Sequence, residues 1–111
     1  MPYFMFQGRF THNALKSFLA KPEDRSKAAA KLAKANGGRL HRYFTALGRH
    51  DFVSILELPD LEAAAACAMD VASGGHVSGI TTTRLFTPGE SMAAMAKAKT
   101  AAPSLPVPTG A

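Results

Sequence analysis

The sequence is poor in several residue types that mark specialised classes of protein. Its 111 residues include one cysteine and no tryptophan. A lone cysteine excludes an internal disulfide and gives no support to a disulfide-stabilised secreted domain. No apolar run approaches the ~20 residues that a membrane-spanning helix needs, and no charged-then-apolar leader opens the chain. We therefore expect a soluble cytoplasmic protein with no membrane partner.

Acidic residues are also few, with 8 Asp and Glu against 13 Lys and Arg and a net charge of +5. Such an excess can indicate a nucleic-acid partner. However, Lys27, Lys31 and Lys34 lie on one stripe of a predicted helix, which is typical of a solvated face. Proteins that bind single strands interleave basic and aromatic residues, and RNA-binding sheets carry aromatics at set strand positions. Because both patterns are missing, a nucleic-acid partner is not favoured.

Turn and capping signals divide the chain into alternating strands and helices. Strands are predicted over residues 3–10, 39–47, 52–58 and 76–86. Helices are predicted over residues 13–20, 22–36, 61–73 and 88–99. Pro22 breaks the first helical region, because proline disfavours helix in the residue before it. Asp60 is the predicted cap of the third helix, and Thr87 with Glu90 forms a capping box for the fourth.

The order of these elements predicts the fold class. Strand–helix–strand–strand–helix–strand is the ferredoxin-like α+β arrangement, a four-stranded antiparallel sheet with helices on one face, here followed by a C-terminal helix. Residues 1–99 form this domain, and residues 100–111, which hold three prolines, are predicted to be a disordered tail. Large apolar residues occur on both predicted faces of strands one and three. A sheet-to-sheet homodimer, giving an α+β barrel, would cover the second face.

Several short motifs in this order resemble the GYD-domain family of small bacterial proteins. The motifs are Gly8-x-Phe10-Thr11, Gly37-Gly38, Leu47-Gly48-x-x-Asp51-x-Val53, Leu58-Pro59-Asp60-x-Glu62 and the run from Thr81 to Thr87 ahead of Glu90. The likeness extends over roughly residues 2–97. His50 stands where family members usually carry tyrosine. The family is similar to the dimeric α+β barrel group, which includes cofactor-free monooxygenases, lactone isomerases and polyketide cyclases. The resemblance implies no established reaction for this chain.

The hairpin between strands two and three concentrates the residues that could carry chemistry. His41 and Tyr43 are expected to share a strand face, and His50 lies at the turn, so these three are the candidate catalytic residues for cofactor-free proton transfer. Arg42, Asp51 and His76 are the candidate ligand-binding residues. The alternative is structural: the polar strand face meets solvent, and Asp51 makes a turn-stabilising bond to the backbone.

Neither a metal nor a cofactor is expected. The four histidines show no H-x-x-x-H or similar ligand spacing, and Cys67 has no C-x-x-C partner. Cys67 lies among alanines, where a small buried core residue is the favoured interpretation. The predicted function is therefore that of a small oligomeric protein that binds a small molecule between sheet and helices, with a cofactor-free enzyme as one form of it. The alternative is a non-catalytic assembly module.

Overall fold

A computed structural model describes residues 1–101 and 106–108 of the chain. The strands are β1 (Tyr3–Phe10), β2 (Arg39–Thr45), β3 (Phe52–Glu57) and β4 (Val77–Leu85). The helices are α1 (His12–Ala20), α2 (Ser26–Ala35), α3 (Leu61–Ser73) and α4 (Pro88–Ala101). The strands form one antiparallel sheet in the order β2-β3-β1-β4. The predicted ferredoxin-like α+β class is therefore confirmed.

Side-chain caps set the beginnings of the helices. The Thr11 hydroxyl accepts from the Ala14 N–H at 3.3 Å, and an Asp60 carboxylate oxygen accepts from the Ala63 N–H at 2.8 Å. Helix α2 begins four residues later than predicted, at Ser26. The reason is Asp24, whose carboxylate accepts both the backbone N–H and the hydroxyl of Ser26 and holds residues 22–25 outside the helix.

The core lies between the sheet and the helices, where α2 packs on β2 and α3 packs on β4. Its buried members come from both layers and include Phe4, Phe6, Leu56, Leu58, Ala33, Ala64 and Cys67. Cys67 is fully buried, as the alanine run around it predicted, and burial raises the pKa of its thiol. Small residues at these helix positions allow the helices to lie close to the aromatic rings of β1.

No helix of the described residues covers the other face of the sheet. Cross-strand partners show which residues share it: Met5 lies opposite Ile55 on one side and Thr83 on the other. Met5, Val53 and Ile55 are only half-buried. We call this surface, with its members Tyr3, Met5, Gln7, Arg39, Val53, Ile55, Glu57 and Thr83, the open face.

The C-terminal region differs from the rest in its packing. Helix α4 extends two residues past its predicted end, and none of its residues is buried. Residues 102–105 and 109–111 of the predicted tail lie outside the described residues, so the tail remains a prediction. Within the part of the chain that the structure describes, no helix is both long and apolar enough to span a bilayer.

Candidate functional site

A cavity of about 290 Å³ lies between the sheet and helices α2 and α3. Its wall is mainly apolar and comes from every layer of the fold, with Phe6, Phe10, Ala28, Ala29, Leu32, Phe52, Leu56, Val71, Val77 and Ile80. Five polar side chains join them, namely Arg25, Tyr43, Ser54, Asp70 and His76. We call this space the inner cavity.

A row of aromatic rings runs along one wall of the inner cavity. Tyr43 and Phe52 are stacked, with ring centroids 6.2 Å apart and planes 3° from parallel. Phe52 stacks in turn on Phe10 at 5.3 Å, and Phe10 meets Phe18, which lies outside the cavity lining, edge-on at 5.0 Å. Gly8 makes room for this row, since a Cβ there would lie 3.1 Å from the Phe52 ring. The wall is thus a continuous aromatic surface suited to a flat, apolar ligand.

Tyr43 brings a polar group to this aromatic wall. It lies opposite Ser54 on β3, and Ser54 is only 4 % exposed. Burial is the main cause that raises the pKa of the Tyr43 phenol; the Arg25 charge lowers it and the Asp24 charge raises it. The phenol is therefore neutral at physiological pH and can donate a hydrogen bond to a ligand.

Charged groups border the inner cavity beside the helices. The Arg25 guanidinium lies 5.2 Å from the centroid of the Phe18 ring and forms an ion pair with Glu23 at 3.1 Å. Arg25 also borders two neighbouring surface pockets, one of which it shares with His76. Arg25, Asp70 and His76 thus bring a guanidinium, a carboxylate and an imidazole to the lining of the inner cavity.

The hairpin residues do not gather at the inner cavity as predicted. In β2, Leu40 pairs with Leu56 but Arg42 pairs with Ile55, so His41 is the extra residue of a β-bulge. The bulge reverses the alternation of side chains that follows it. The prediction that His41 and Tyr43 share a face is therefore wrong: Tyr43 lies on the helix side, and His41 lies on the open face.

His50 and Asp51 also contact different parts of the protein. The Asp51 carboxylate accepts the backbone N–H of Phe10 at 2.9 Å, and the Asp51 N–H donates to the Gly8 carbonyl at 2.8 Å. Asp51 thus ties the hairpin to β1 at the point where the pairing of β1 with β4 changes register. His50 lies 3.4 Å from the Gln7 side chain, measured between Nδ1 and Nε2, at the open face.

The open face holds a separate polar group that sequence reasoning missed. Arg39 donates to both carboxylate oxygens of Glu57, at 2.8 and 3.2 Å, and His41 Nδ1 lies 3.9 Å from Oε1. Tyr3 meets the His41 ring edge-on at 5.3 Å. Hydrogen bonds from Arg39 and then Tyr3 lower the pKa of Glu57, which is only 6 % exposed. We call Tyr3, Arg39, His41 and Glu57 the Glu57 cluster.

Two of the six predicted site residues, Tyr43 and His76, line the inner cavity, and the other four do not: His41, Arg42, His50 and Asp51. Arg42 is exposed, with its guanidinium 5.6 Å from the centroid of the Phe44 ring. Ser54, Arg25 and Asp70 complete the polar lining and were not predicted. The usable signal for Ser54 was a lone hydroxyl among the apolar helix-facing residues of β3; Arg25 and Asp70 gave none. In residues 1–101 and 106–108, no three His, Cys, Asp or Glu side chains are grouped to hold a metal.

Comparison with solved structures identifies the fold. The chain is similar to TTHA0845 from Thermus thermophilus (TM-score 0.52, 17 % identity, 78 % of this chain and 95 % of that one) and to FFRP-DM1 (TM-score 0.50, 11 % identity, 78 % and 100 %). It is also similar to MtbAldR (TM-score 0.55, 12 % identity, 78 % of this chain), of which it spans about half, 52 %. At these identities the likeness shows the fold alone.

No curated protein matches the sequence significantly. The sequence profile of the GYD domain does match, over residues 4–95, which is most of the chain. The family predicted from the glycine, proline and aspartate motifs is therefore confirmed. This chain belongs to the GYD domain family.

Proposed function

We propose that this protein binds a small, largely apolar molecule in the inner cavity. The observation that carries the proposal is the cavity itself, an aromatic-walled space of about 290 Å³ with a few convergent polar groups. That volume lies near the lower end of the roughly 300–1,000 Å³ of known ligand pockets, so the ligand is small. Phe6, Phe52 and Ser54 are buried at its base, while Asp70 and His76 at its edge are exposed, so a ligand can enter from solvent.

The polar lining suggests how a ligand is oriented. The neutral Tyr43 phenol and the Ser54 hydroxyl lie opposite each other on β2 and β3, next to the stacked Phe52 ring. A flat apolar body would lie against the rings, and one hydrogen-bonding group would meet the two hydroxyls. If a reaction occurs here, Tyr43 and His76 are the side chains able to transfer protons without a cofactor.

We further propose that the protein is a cytoplasmic homodimer whose subunits pack through their open faces. Met5, Val53 and Ile55 are half-buried in a single chain, and a contiguous apolar surface of this kind is typical of an interface. The same face supports the alternative of a non-catalytic assembly module. In that case the inner cavity has no occupant, and self-association is the whole function.

Native mass spectrometry of purified protein separates the two functions. We expect a bound mass that is retained by the wild type and lost in Ser54→Met, whose longer side chain would fill the inner cavity. The matched control is Ser78→Met, an exposed serine of β4 outside the cavity lining. Repeated ligand-free spectra of wild type, or equal ligand retention by both variants, would favour the assembly module.

Sedimentation velocity tests the dimer. We expect a species of twice the 11.7 kDa chain mass for the wild type and a shift towards monomer for Ile55→Lys, which places an unpaired charge on the open face. A wild-type protein that stays monomeric at every concentration would contradict the dimer proposal and leave the cavity proposal intact.

A further inference from the structure

Helix α3 is apolar on the side that faces away from the sheet. Ala64 and Cys67 form its buried side, as the core requires. Leu61 and Met69, two turns apart, are nevertheless 68 % and 71 % exposed. Ala65 and Ala72 are also exposed, so small and large apolar side chains form one continuous outer surface. Large apolar side chains exposed over two turns of one helix indicate that this surface of α3 has a partner.

Helix α4 is held by hydrogen bonds at its first turn, but none of its residues is buried. The Glu90 carboxylate accepts the Thr87 N–H at 2.9 Å and the Arg84 guanidinium at 2.8 Å, which ties the first turn to the end of β4. Beyond that turn, Met92 and Met95 are 70 % and 67 % exposed. Within the described residues α4 makes no more than marginal contact with any other element.

Both α3 and α4 expose apolar side chains, and the two helices do not pack against each other within one chain. A helix of 14 residues without tertiary contacts is marginal in water, because helices this short gain most of their stability from packing. Because α4 makes no more than marginal contact with any element of its own chain, its own α3 is not its partner in this structure. We propose that α4 of one copy of this protein packs across the outer surface of α3 in a second copy.

The charges on the helices favour α3 over the other helices as the docking surface. The free part of α4 carries Lys97 and Lys99, while α3 carries only Glu62 and Asp70, both exposed. Helices α1 and α2 carry lysines and no acid within their bounds, and would repel α4. Glu62 and Asp70 are about 12 Å apart along the helix, at 1.5 Å per residue. Lysines at the free end of α4 would meet one of them while Met92 and Met95 cover the apolar surface between.

Because each copy has both an α4 and an α3 surface, the exchange is reciprocal. In a pair of copies related by a two-fold axis, each α4 packs on the α3 of the other copy, so all four surfaces are covered. Two-fold dimers are the commonest form of assembly. This contact does not involve the open face, and it shares with the inner cavity only Asp70, which also belongs to the cavity lining. The contact would add to the stability of a sheet-to-sheet dimer or form a dimer by itself.

Disulfide trapping between two tagged chains tests the contact. Both chains carry Cys67→Ala, one carries Met69→Cys on α3, and the other carries Met95→Cys on α4. After co-expression and mild oxidation we expect the two differently tagged chains to be the main covalent pair. The control replaces Met69→Cys with Lys31→Cys, an exposed position on α2. Trapping no greater than in this control would overturn the proposal.

Charge exchange in the same assay gives a second readout. Lys97→Glu with Lys99→Glu on the α4 chain should slow trapping about tenfold, and Glu62→Lys with Asp70→Lys on the α3 chain should restore it. The matched control, Lys31→Glu with Lys34→Glu on the α4 chain, should leave trapping unchanged. If the rate of disulfide trapping does not change when the charges on either helix are reversed, α4 does not lie along α3. Efficient trapping within one chain that carries both cysteines would show that α4 folds back in cis and would likewise overturn the proposal.

Discussion

The two faces of the sheet are built from alternate residues of the same strands, yet they have different roles. On the helix side, Phe4 and Leu56 are 1 % exposed, while on the open face their neighbours Met5 and Ile55 remain half-buried. Apolar alternation in β1 and β3 cannot distinguish the two, since both faces carry large apolar residues. The difference teaches that the helices, rather than the strand pattern, decide which face becomes the core.

The polar groups of the two faces differ in the same way. On the helix side, Tyr43 and Ser54 border an open space and have capacity to bind a ligand. On the open face, the Glu57 carboxylate is already held by Arg39 at 2.8 Å. The first arrangement is suited to recognition, and the second is suited to stabilising the edge of the sheet.

The largest expected difference between the faces comes from truncating a side chain on each. Phe4→Ala should lower the free energy of unfolding by about 3–5 kcal/mol, because it opens a cavity in the core. Met5→Ala removes a half-buried side chain and should cost less than half as much at low protein concentration. Guanidinium denaturation measures both. Equal losses at low concentration would show that the open face is as fully packed as the core.

A smaller effect is expected at the junction between α2 and β2. A Cβ at Gly38 would lie 1.9 Å from the Glu57 carbonyl oxygen, and a backbone atom cannot move away cheaply. Gly38→Ala should therefore lower the free energy of unfolding by about 1–3 kcal/mol, as other overpacked sites do. Gly89→Ala in the unpacked α4, where the nearest atom is 4.0 Å away, is the control and should be neutral or stabilising. A neutral Gly38→Ala would mean that β2 can shift freely along β3.

The Glu57 cluster should make stability depend on pH. Hydrogen bonds from Arg39 and Tyr3 hold the pKa of Glu57 below its ordinary value of 4.5. A lowered pKa contributes stability that is present above the unfolded-state pKa and is lost as pH falls through the folded-state pKa. The wild type should therefore have a higher free energy of unfolding than Glu57→Gln at pH 7, and this difference should decrease as the pH falls below about 4.5. Urea denaturation from pH 7 to pH 3 measures it, and parallel profiles would contradict the assignment.

The smallest effect on the folded body is expected from uncapping α4. The Arg84 guanidinium first, and then the Thr87 N–H, lower the pKa of Glu90 to about 2. The capping interaction is therefore present above pH 4.5 and is lost only as pH falls through about 2. At a dilution where the protein is monomeric, Glu90→Gln should reduce helical circular dichroism at pH 7 and leave the unfolding midpoint of the body nearly unchanged. A large drop in the midpoint of the monomer would show that α4 packs on its own chain, which would contradict its docking on α3 of a second copy.

Local signals in the sequence accounted for the fold with few errors. The caps at Asp60 and Thr87 were both predicted, since each depends on residues three positions apart. The break at Pro22 and the hairpin between β2 and β3 were correct because they too depend on neighbouring residues. The late beginning of α2 was missed because Asp24 competes with Pro22 for the capping role.

The site was harder to predict, because it depends on register and on packing between elements. The expected His41–Tyr43 pair failed at a bulge, and a bulge follows from how two strands align rather than from either strand alone. Arg25 and Ser54 converge on the inner cavity from elements 29 positions apart in the chain. Asp51, a candidate ligand-binding residue with a bond within its own turn as the alternative, instead accepts a hydrogen bond from Phe10 on another strand.

The sequence by itself determined the family, the element order and the ferredoxin-like topology, because turns, caps and apolar periodicity are encoded by neighbouring residues. Only the tertiary structure decided which sheet face is covered, on which side His41 and Tyr43 lie, and that an aromatic-walled cavity remains beneath α2 and α3. Those outcomes depend on strand register and on the packing of small helix residues against large rings. Such terms join residues far apart in the chain, so no local pattern specifies them.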